Sequence, residues 1–378
     1  MSAPAMSDAA VALHRDALVV DSHNDSIVLH IRLGNRSFSD RPASPDAAPS
    51  SRSTHHGTIR YLRGPYPRSE TPEPQVTLPK MRAGGLDAAF FSVDVTRARR
   101  NHVAYALDGH GFFIADVTAH SDEIVIARTA ADVRAAKQSG KLAAVLTIEN
   151  SDALDGSLNV LHAFHALGVR SIGLTHNPRA IAADGVGEAQ ASRLGPALPT
   201  ESPRGGLSEF GVELVQEMNA LGMLVDVSHI SEQGFWDVIE RSTQPVIASH
   251  SNCRALCDHV RGLTDDQLRA IAKNGGVVGI SYVRSFLDPS TWQPRAATAP
   301  ADQPSLVESI LDHIEHVIRV AGPAHAGLGS DFDGGGTALR DATELPLLTQ
   351  GLLDRGHSEA TIRGVLGENL LRALAQAA

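Results

Sequence analysis

A recurring unit constrains this chain more than any other feature: a short apolar, β-branched run that ends abruptly on a polar cluster. Such runs are Ala17–Val20 before Asp21-Ser-His-Asn-Asp25, Ala88–Val95, Ala143–Ile148 before Glu149-Asn150, and Val169–Leu174 before Thr175-His176-Asn177. Met223–Val227 then precedes Ser228-His229, Pro245–Ala248 precedes Ser249-His250-Ser251, and Gly276–Ser281 follows. The last run, Ala326–Gly329, leads into Ser330-Asp331-Phe332-Asp333-Gly334. Their near-continuous hydrophobicity is that of strands buried on both faces.

Helical patterns separate several of the runs. Leu207–Leu221 carries Phe210, Leu214, Val215 and Met218 on one stripe. Asp265–Asn274 stops at Gly275-Gly276, and Ser305–Val320 at Gly322-Pro323. Strand alternating with helix implies a parallel sheet, and eight strands predict an α/β fold closed as a (β/α)8 TIM barrel. A chain of 378 residues suits one such barrel with insertions, so a single domain over residues 1–378 is expected. Arg32–Glu73 and Pro178–Arg204 lack the unit and read as long loops over the active site. The pair His55-His56 in the first loop is expected to be solvated rather than ligating. Ser358–Leu374, rich in Ala and Leu, is expected to form a helix against the barrel.

In six of the eight runs a His, Asp or Glu stands at the C-terminal end, the face on which barrel enzymes carry their chemistry. Residues i and i+2 of a strand point to one side, so His23 and Asp25 can face one ion. Glu149 ends a buried run, where a carboxylate is costly unless paired or metal-bound. His229 and His250 end consecutive runs and so are expected to be neighbours around the barrel. Imidazole with carboxylate, and no thiolate, suits zinc. Five ligands exceed what one catalytic zinc takes from protein; two ions about 3.5–4 Å apart, sharing one carboxylate, account for all five. Asp331 is the first acid after the eighth run and the candidate general base and acid. Asp333 is a weaker candidate and reads also as a turn-former before Gly334-Gly335-Gly336.

Composition removes several alternatives. The formal charge of −10 excludes a basic nucleic-acid surface. No basic, apolar leader opens the chain, and no apolar run approaches the roughly 20 residues that span a bilayer. A cytoplasmic protein without a membrane anchor is the expectation. Cys253 and Cys257 match neither a redox C-x-x-C nor a zinc site and are expected to be reduced, packed thiols.

These residues together resemble the membrane (renal-type) dipeptidase family of zinc metallopeptidases, within the amidohydrolase-like superfamily. The likeness runs in order from Ala17 to Leu374. It is carried by Asp21–Asp25, Leu78-Pro-Lys-Met-Arg-Ala-Gly-Gly85, Phe91-Ser92, Ile148-Glu149, Leu174–Asn177 and Gly206-Leu-Ser-Glu-Phe-Gly211. Val225–Ser231, Ser249–Ser251, Gly327–Gly334 and Glu368-Asn-Leu-Leu-Arg372 complete it. The resemblance implies two zinc ions per chain, one on His23 and Asp25 and one on His229 and His250, bridged by Glu149. It implies that His176 contacts the substrate near the scissile carbonyl, that Arg261 receives the substrate carboxylate, and that Asp331 is the catalytic aspartate. It implies dipeptide substrates, tolerance of a C-terminal D-residue, and a homodimer. Arg261 is followed by Gly262 where the family commonly has Asn, and Arg254 is a rival carboxylate binder.

The mechanism so implied is attack by a metal-bridged hydroxide, with His176 donating to the oxygen that gains charge and Asp331 moving the proton. On the metal set alone two other readings stand: a different binuclear barrel hydrolase acting on N-acyl-amino acids, β-lactams or lactones, and a barrel that binds without catalysis.

Overall fold

The computed structural model describes residues 6–33, 35–39, 73–97, 101–177, 179–187, 205–288, 290 and 304–378. Among the described residues there are ten strands: β1 Val20–Asn24, β2 Ala88–Asp94, β3 Ile124–Ile126, β4 Leu142–Glu149, β5 Val169–Gly173, β6 Leu224–Asp226, β7 Val246–Cys253, β8 Gly262–Leu263, β9 Val277–Ile280 and β10 Ala326–Leu328. Eight of them close a parallel barrel in the order β1-β2-β4-β5-β6-β7-β9-β10, with β10 paired back to β1. The two short extras, β3 and β8, pair outside this ring with β4 and β7. All eight expected runs are barrel strands, and the fold is the expected TIM barrel.

Period-two alternation sorts side chains into two separate cores. Ala88 and Phe90 of β2, with Ala143 and Val145 of β4, join the inner core along with Val20, Leu224, Ile247 and Val277. The intervening Ala89, Phe91, Val93, Ala144, Leu146 and Ile148 face outward into the shell of helices. Asp94 and Glu149 therefore belong to the inward-facing series, above an apolar floor.

That floor is sealed by the chain's own tail. Leu370, Leu371, Leu374 and Ala377 of the helix Asn369–Ala377 share the inner core with the strands. Asn369 donates to the carbonyls of Pro323 and Ala326, each at 2.8 Å, and so fastens this plug beneath β10. The expected helix over 358–374 is interrupted by a π-helical turn at Gly364–Glu368, where Gly367 lies against the Leu18 backbone.

The expected helices form at Glu209–Ala220, Asp265–Asn274 and Val307–Ala321. In the second, Thr264 and Gln267 close a capping box and Gly275 ends the helix at φ +87°, a conformation that costs glycine little. Two boundaries differ by more than a residue or two: the first strand is Val20–Asn24, not Ala17–Val20, and the run Pro245–Ala248 continues as strand to Cys253. The polar residues of β1 are held within the barrel, Ser22 by the Leu328 carbonyl at 2.7 Å and Asp21 by Ser330. A helix follows at once at Ser26–Arg32, so Asp25 is a helix N-cap and not a strand residue. Most of the two loops expected over the site, and His55-His56 with them, lie outside the described residues. Cys253 and Cys257 are free and buried. Among the described residues no helix is long and apolar enough to cross a membrane.

Candidate active site

Seven of the eight barrel strands, all but β9, deliver ionisable residues to the C-terminal mouth of the barrel. Glu149 ends β4 at 4% exposure and is the centre of the cluster. The His229 Nε2 lies 2.9 Å from its Oε1, the His250 Nε2 3.6 Å from the same oxygen, and the His23 Nε2 3.9 Å from Oε2. The His176 Nε2 stands 4.0 Å from Oε1, its ring stacked on His229 at 4.1 Å between centroids. His23 stacks on His250 at 3.9 Å. Ligand atoms of Glu149, His229 and His250 lie within 4.8 Å of one another, as do those of His23, Asp25 and Glu149. The structure thus brings all five sequence-predicted ligands into two triads that share Glu149. Asp25 reaches the site from a helix cap, by a route other than strand alternation.

The hydrogen-bond network decides what these nitrogens can accept. Asn177 Oδ1 lies 2.8 Å from His229 Nδ1 and, as an acceptor, places the proton there. The Ser249 hydroxyl donates to Asp226 Oδ2, so its lone pair accepts from His250 Nδ1 at 2.8 Å. Both Nε2 atoms are left with bare lone pairs, yet they face one another at 2.7 Å beside a carboxylate. No proton bridges them readily: burial, reinforced by the Arg261 guanidinium and the other imidazoles, holds both histidines well below the usual imidazole range. The Nε2 of His23, likewise buried, has no hydrogen-bond partner among the described residues, and burial pushes that imidazole down to about 3. Three converging lone pairs around a carboxylate repel one another unless a cation lies between them, which is the donor set of a metal centre. Glu149 itself is pushed well above the ordinary carboxylate range by burial and by Asp94, Asp25 and Asp331.

The backbone carries strain where the site is built. His229, Asp331 and Asp333 adopt φ of +65°, +56° and +63°, unusual for residues with side chains. His229 is braced by Val186, whose N–H donates to its carbonyl at 2.9 Å. Asp331 is fixed at its own N–H by the His23 carbonyl at 3.0 Å, while its carbonyl accepts from Gly335 and Gly336. Asp333 is occupied elsewhere: its carboxylate accepts from Ser26 Oγ at 2.5 Å and from the Gln75 N–H at 2.7 Å. It ties the β10 turn to the helix Ser26–Arg32, whereas Asp331 borders Asp25 across Gly334.

Arg261 is 3% exposed and donates to the His250 carbonyl at 3.0 Å; its Nε is buried without a hydrogen-bond partner among the described residues. Burial pulls the guanidinium down to about 10 against the opposing pull of Asp331, Glu149 and Asp226. Arg254, the rival, donates to the Val260 carbonyl and is only partly buried.

Sequence reading overlooked Asp94 and Asp226. Asp94 groups with Glu149 and His176, and Asp226 with His23 and His250, again within 4.8 Å. Each is the one acid inside an apolar run, and that oddity was the available signal.

Comparison with known proteins gives the site its context. Residues 7–378 match the family described as membrane dipeptidase, peptidase family M19. The chain belongs to that family. It is a metal-dependent dipeptidase. An uncharacterized dipeptidase of Schizosaccharomyces pombe is 34% identical over 311 residues, 78% of this chain and 70% of that protein. The dipeptidase aclJ of Aspergillus oryzae is 37% identical over 313 residues, 79% and 69% of the two chains. Among solved structures, the metallo peptidase dipeptidase AC superposes with a TM-score of 0.74 at 30% identity, covering 96% of this chain and 98% of its own. A metallo peptidase from Rhodobacter sphaeroides, solved with a phosphinate mimic of the dipeptide L-Ala-D-Ala, gives 0.73 at 28% identity over 96% and 100%.

Proposed function

We propose that the chain hydrolyses dipeptides, including those with a C-terminal D-residue, using two zinc ions. His23 and Asp25 hold one ion, His229 and His250 the other, and Glu149 both. The observation that carries this reading is the pair of Nε2 lone pairs of His229 and His250, facing each other at 2.7 Å with both Nδ1 protons engaged elsewhere. When bound, such ions polarise a carbonyl and bring the pKa of water to about 7.

The chain's own residues do the rest. Asp331, held at the rim by the His23 carbonyl, accepts the proton of the attacking water and returns it to the leaving amine. His176, stacked on His229, donates through its ring nitrogen to the oxygen that gains negative charge. Arg261 keeps the only buried guanidinium facing Glu149 and Asp331 among the described residues, and offers two-pronged binding to a free carboxylate. That requirement restricts substrates to short peptides with the carboxylate one residue from the scissile bond. The R. sphaeroides relative, bound to an L-Ala-D-Ala mimic, supports acceptance of the D-residue.

The deciding experiment is a screen of L,L and L,D dipeptides with and without chelator, alongside zinc analysis of the purified protein. Two zinc equivalents and chelator-sensitive dipeptide turnover are expected. Turnover of lactones or N-acyl-amino acids in preference to any dipeptide overturns the substrate assignment, and one tightly held equivalent overturns the paired centre. In the same reading the enzyme is a cytoplasmic homodimer, for which light scattering in solution is the check.

A further inference from the structure

Asp226 lies beneath the metal triads, at the end of β6 and only 6% exposed. Its Oδ1 accepts two backbone N–H groups, from Ser228 at 2.9 Å and from Ser249 at 3.0 Å. These are the residues immediately before His229 and His250. Its Oδ2 accepts the Ser249 hydroxyl, which in turn receives the Nδ1 proton of His250. The Ser228 hydroxyl completes the frame by accepting from the His250 N–H at 3.1 Å. One buried carboxylate thus holds the turn that carries His229 and the strand segment that carries His250, and reaches the second of these imidazoles through a single hydroxyl.

The two histidines are not treated alike. His229 rests its Nδ1 proton on the neutral amide of Asn177, while the His250 chain ends on a carboxylate. The Ser249 hydroxyl's bond to the carboxylate is roughly twice as strong as a neutral one, and it polarises that hydroxyl into a better acceptor for the His250 Nδ1 proton, which makes the far nitrogen a better electron donor.

We propose that Asp226 is a positioning residue which, through Ser249, orients His250 and strengthens it as a ligand, so that the ion on His229 and His250 depends on a carboxylate that need not touch it. The proposal rests on the reading of His250 as a metal ligand. Loss of such outer partners elsewhere costs about 10–100-fold in metal affinity.

The test is competitive zinc titration against a chromophoric chelator, on the full-length protein stripped of metal. Four variants are compared with the wild type: Ser249→Ala, Ser249→Thr, Asp226→Asn and His250→Ala. Ser249→Ala is expected to weaken one of the two equivalents by about 10–100-fold and to leave the other unchanged. Ser249→Thr, which keeps the hydroxyl, should recover most of that affinity. Asp226→Asn should weaken the same equivalent at least as much. Melting of the metal-free variants separates this from a folding defect, since a merely structural role would lower both affinities and the melting temperature together.

Wild-type affinity for both equivalents in Ser249→Ala, with one lost in His250→Ala, overturns the relay while leaving the ligand reading standing. A loss in Asp226→Asn without one in Ser249→Ala overturns it as well. If His250→Ala binds zinc like the wild type, the ligand reading fails and this inference with it. Should Asp226→Asn fail to fold, the two Ser249 variants still decide.

Discussion

Replacing Gly334 with alanine tests the geometry of the acid/base side of the site without changing any charge. A methyl carbon on Gly334 would sit 2.1 Å from Asp25 Oδ2 and 2.3 Å from Asp331 Oδ1. Folded proteins essentially never show a Cβ closer than 3.0 Å to another heavy atom, so the carboxylates must retreat by about 0.9 Å and about 0.7 Å respectively. The main chain is poorly placed to absorb the clash, since the Asp331 N–H donates to the His23 carbonyl and the Asp25 N–H to the Phe332 carbonyl at 2.9 Å, so the shift falls on the carboxylates themselves. A misplacement near 1 Å at a reacting centre costs about 100-fold in rate. The expected outcome for Gly334→Ala is therefore a fall in kcat of about 100-fold, with overpacking lowering stability by about 1–3 kcal/mol. Gly335→Ala is the matched control, because its methyl would approach Asp331 Oδ2 at 3.4 Å and the flexible end of Val283 at 3.2 Å. It should stay within a few-fold of wild type. Dipeptide turnover and zinc content measured on both variants provide the reading. Wild-type kcat in Gly334→Ala would show that Asp331 and Asp25 do not need their present placement, and the assigned roles would fall.

Asp331→Asn should retain its zinc yet lose about 100- to 10,000-fold in turnover, the range expected for a positioned proton carrier; loss of metal would reassign Asp331 to the ligand set. Arg261→Ala should raise KM for dipeptides by about 10- to 100-fold, the worth of hydrogen bonds to a charged group, whereas Arg254→Ala should leave KM unchanged. The opposite ranking in steady-state kinetics would transfer the carboxylate contact to Arg254. Metal-free protein should lose stability as pH falls from 7 to 5. Burial holds His30 and His313 down to about 4, so between 6.5 and 4 the unfolded chain takes up protons that the folded chain refuses, about 1.4 kcal/mol per pH unit for each such histidine. Asp21, raised to about 7, and Asp333, raised to about 6, act in the opposite sense together with Glu149, Asp87 and Asp152, which burial also raises, since the folded chain keeps their protons. His14, His23, His110, His229 and His250 are also lowered, so the imidazoles prevail. Urea unfolding that shows equal or greater stability at pH 5 contradicts this balance.

The barrel was legible because its strands are buried on both faces, which leaves an apolar run with no polar alternation to confuse with helix. The ligands were legible for the related reason that an ionisable residue ending such a run has few bland explanations. Illegible features depended on partners distant in sequence. Asp331 and Asp333 are two residues apart and chemically identical; only Gln75, 258 positions away, and Ser26 commit Asp333 to a structural tie. The first strand runs past its apolar stretch into Asp21 and Ser22, whose polarity by itself does not mark a buried strand. They are satisfied inside the barrel by Ser330 and by the Leu328 carbonyl, more than 300 residues on. Asp94 and Asp226 were passed over because an acid within an apolar run was credited to the strand, and its register against Glu149 or its reach to Ser249 is a three-dimensional fact.

The electrostatics of the mouth make the metal part of the fold's own logic. Burial raises Glu149 most, and Asp94, Asp25 and Asp331 raise it further, so the carboxylates oppose one another's ionisation. Arg261 relieves some of that repulsion, yet the same guanidinium depresses His23, His229 and His250 and keeps them from supplying a compensating charge. A single buried cation therefore cannot satisfy both sets of residues: what relieves the acids disfavours imidazolium. Ions lying between carboxylate and neutral imidazole resolve the conflict, because each group then binds in the form its surroundings already favour or can reach by losing a proton. The strained φ at His229 and Asp331 fits the same view, since the backbone is held by Val186 and by His23 in a geometry whose return is the convergence of these side chains on one point.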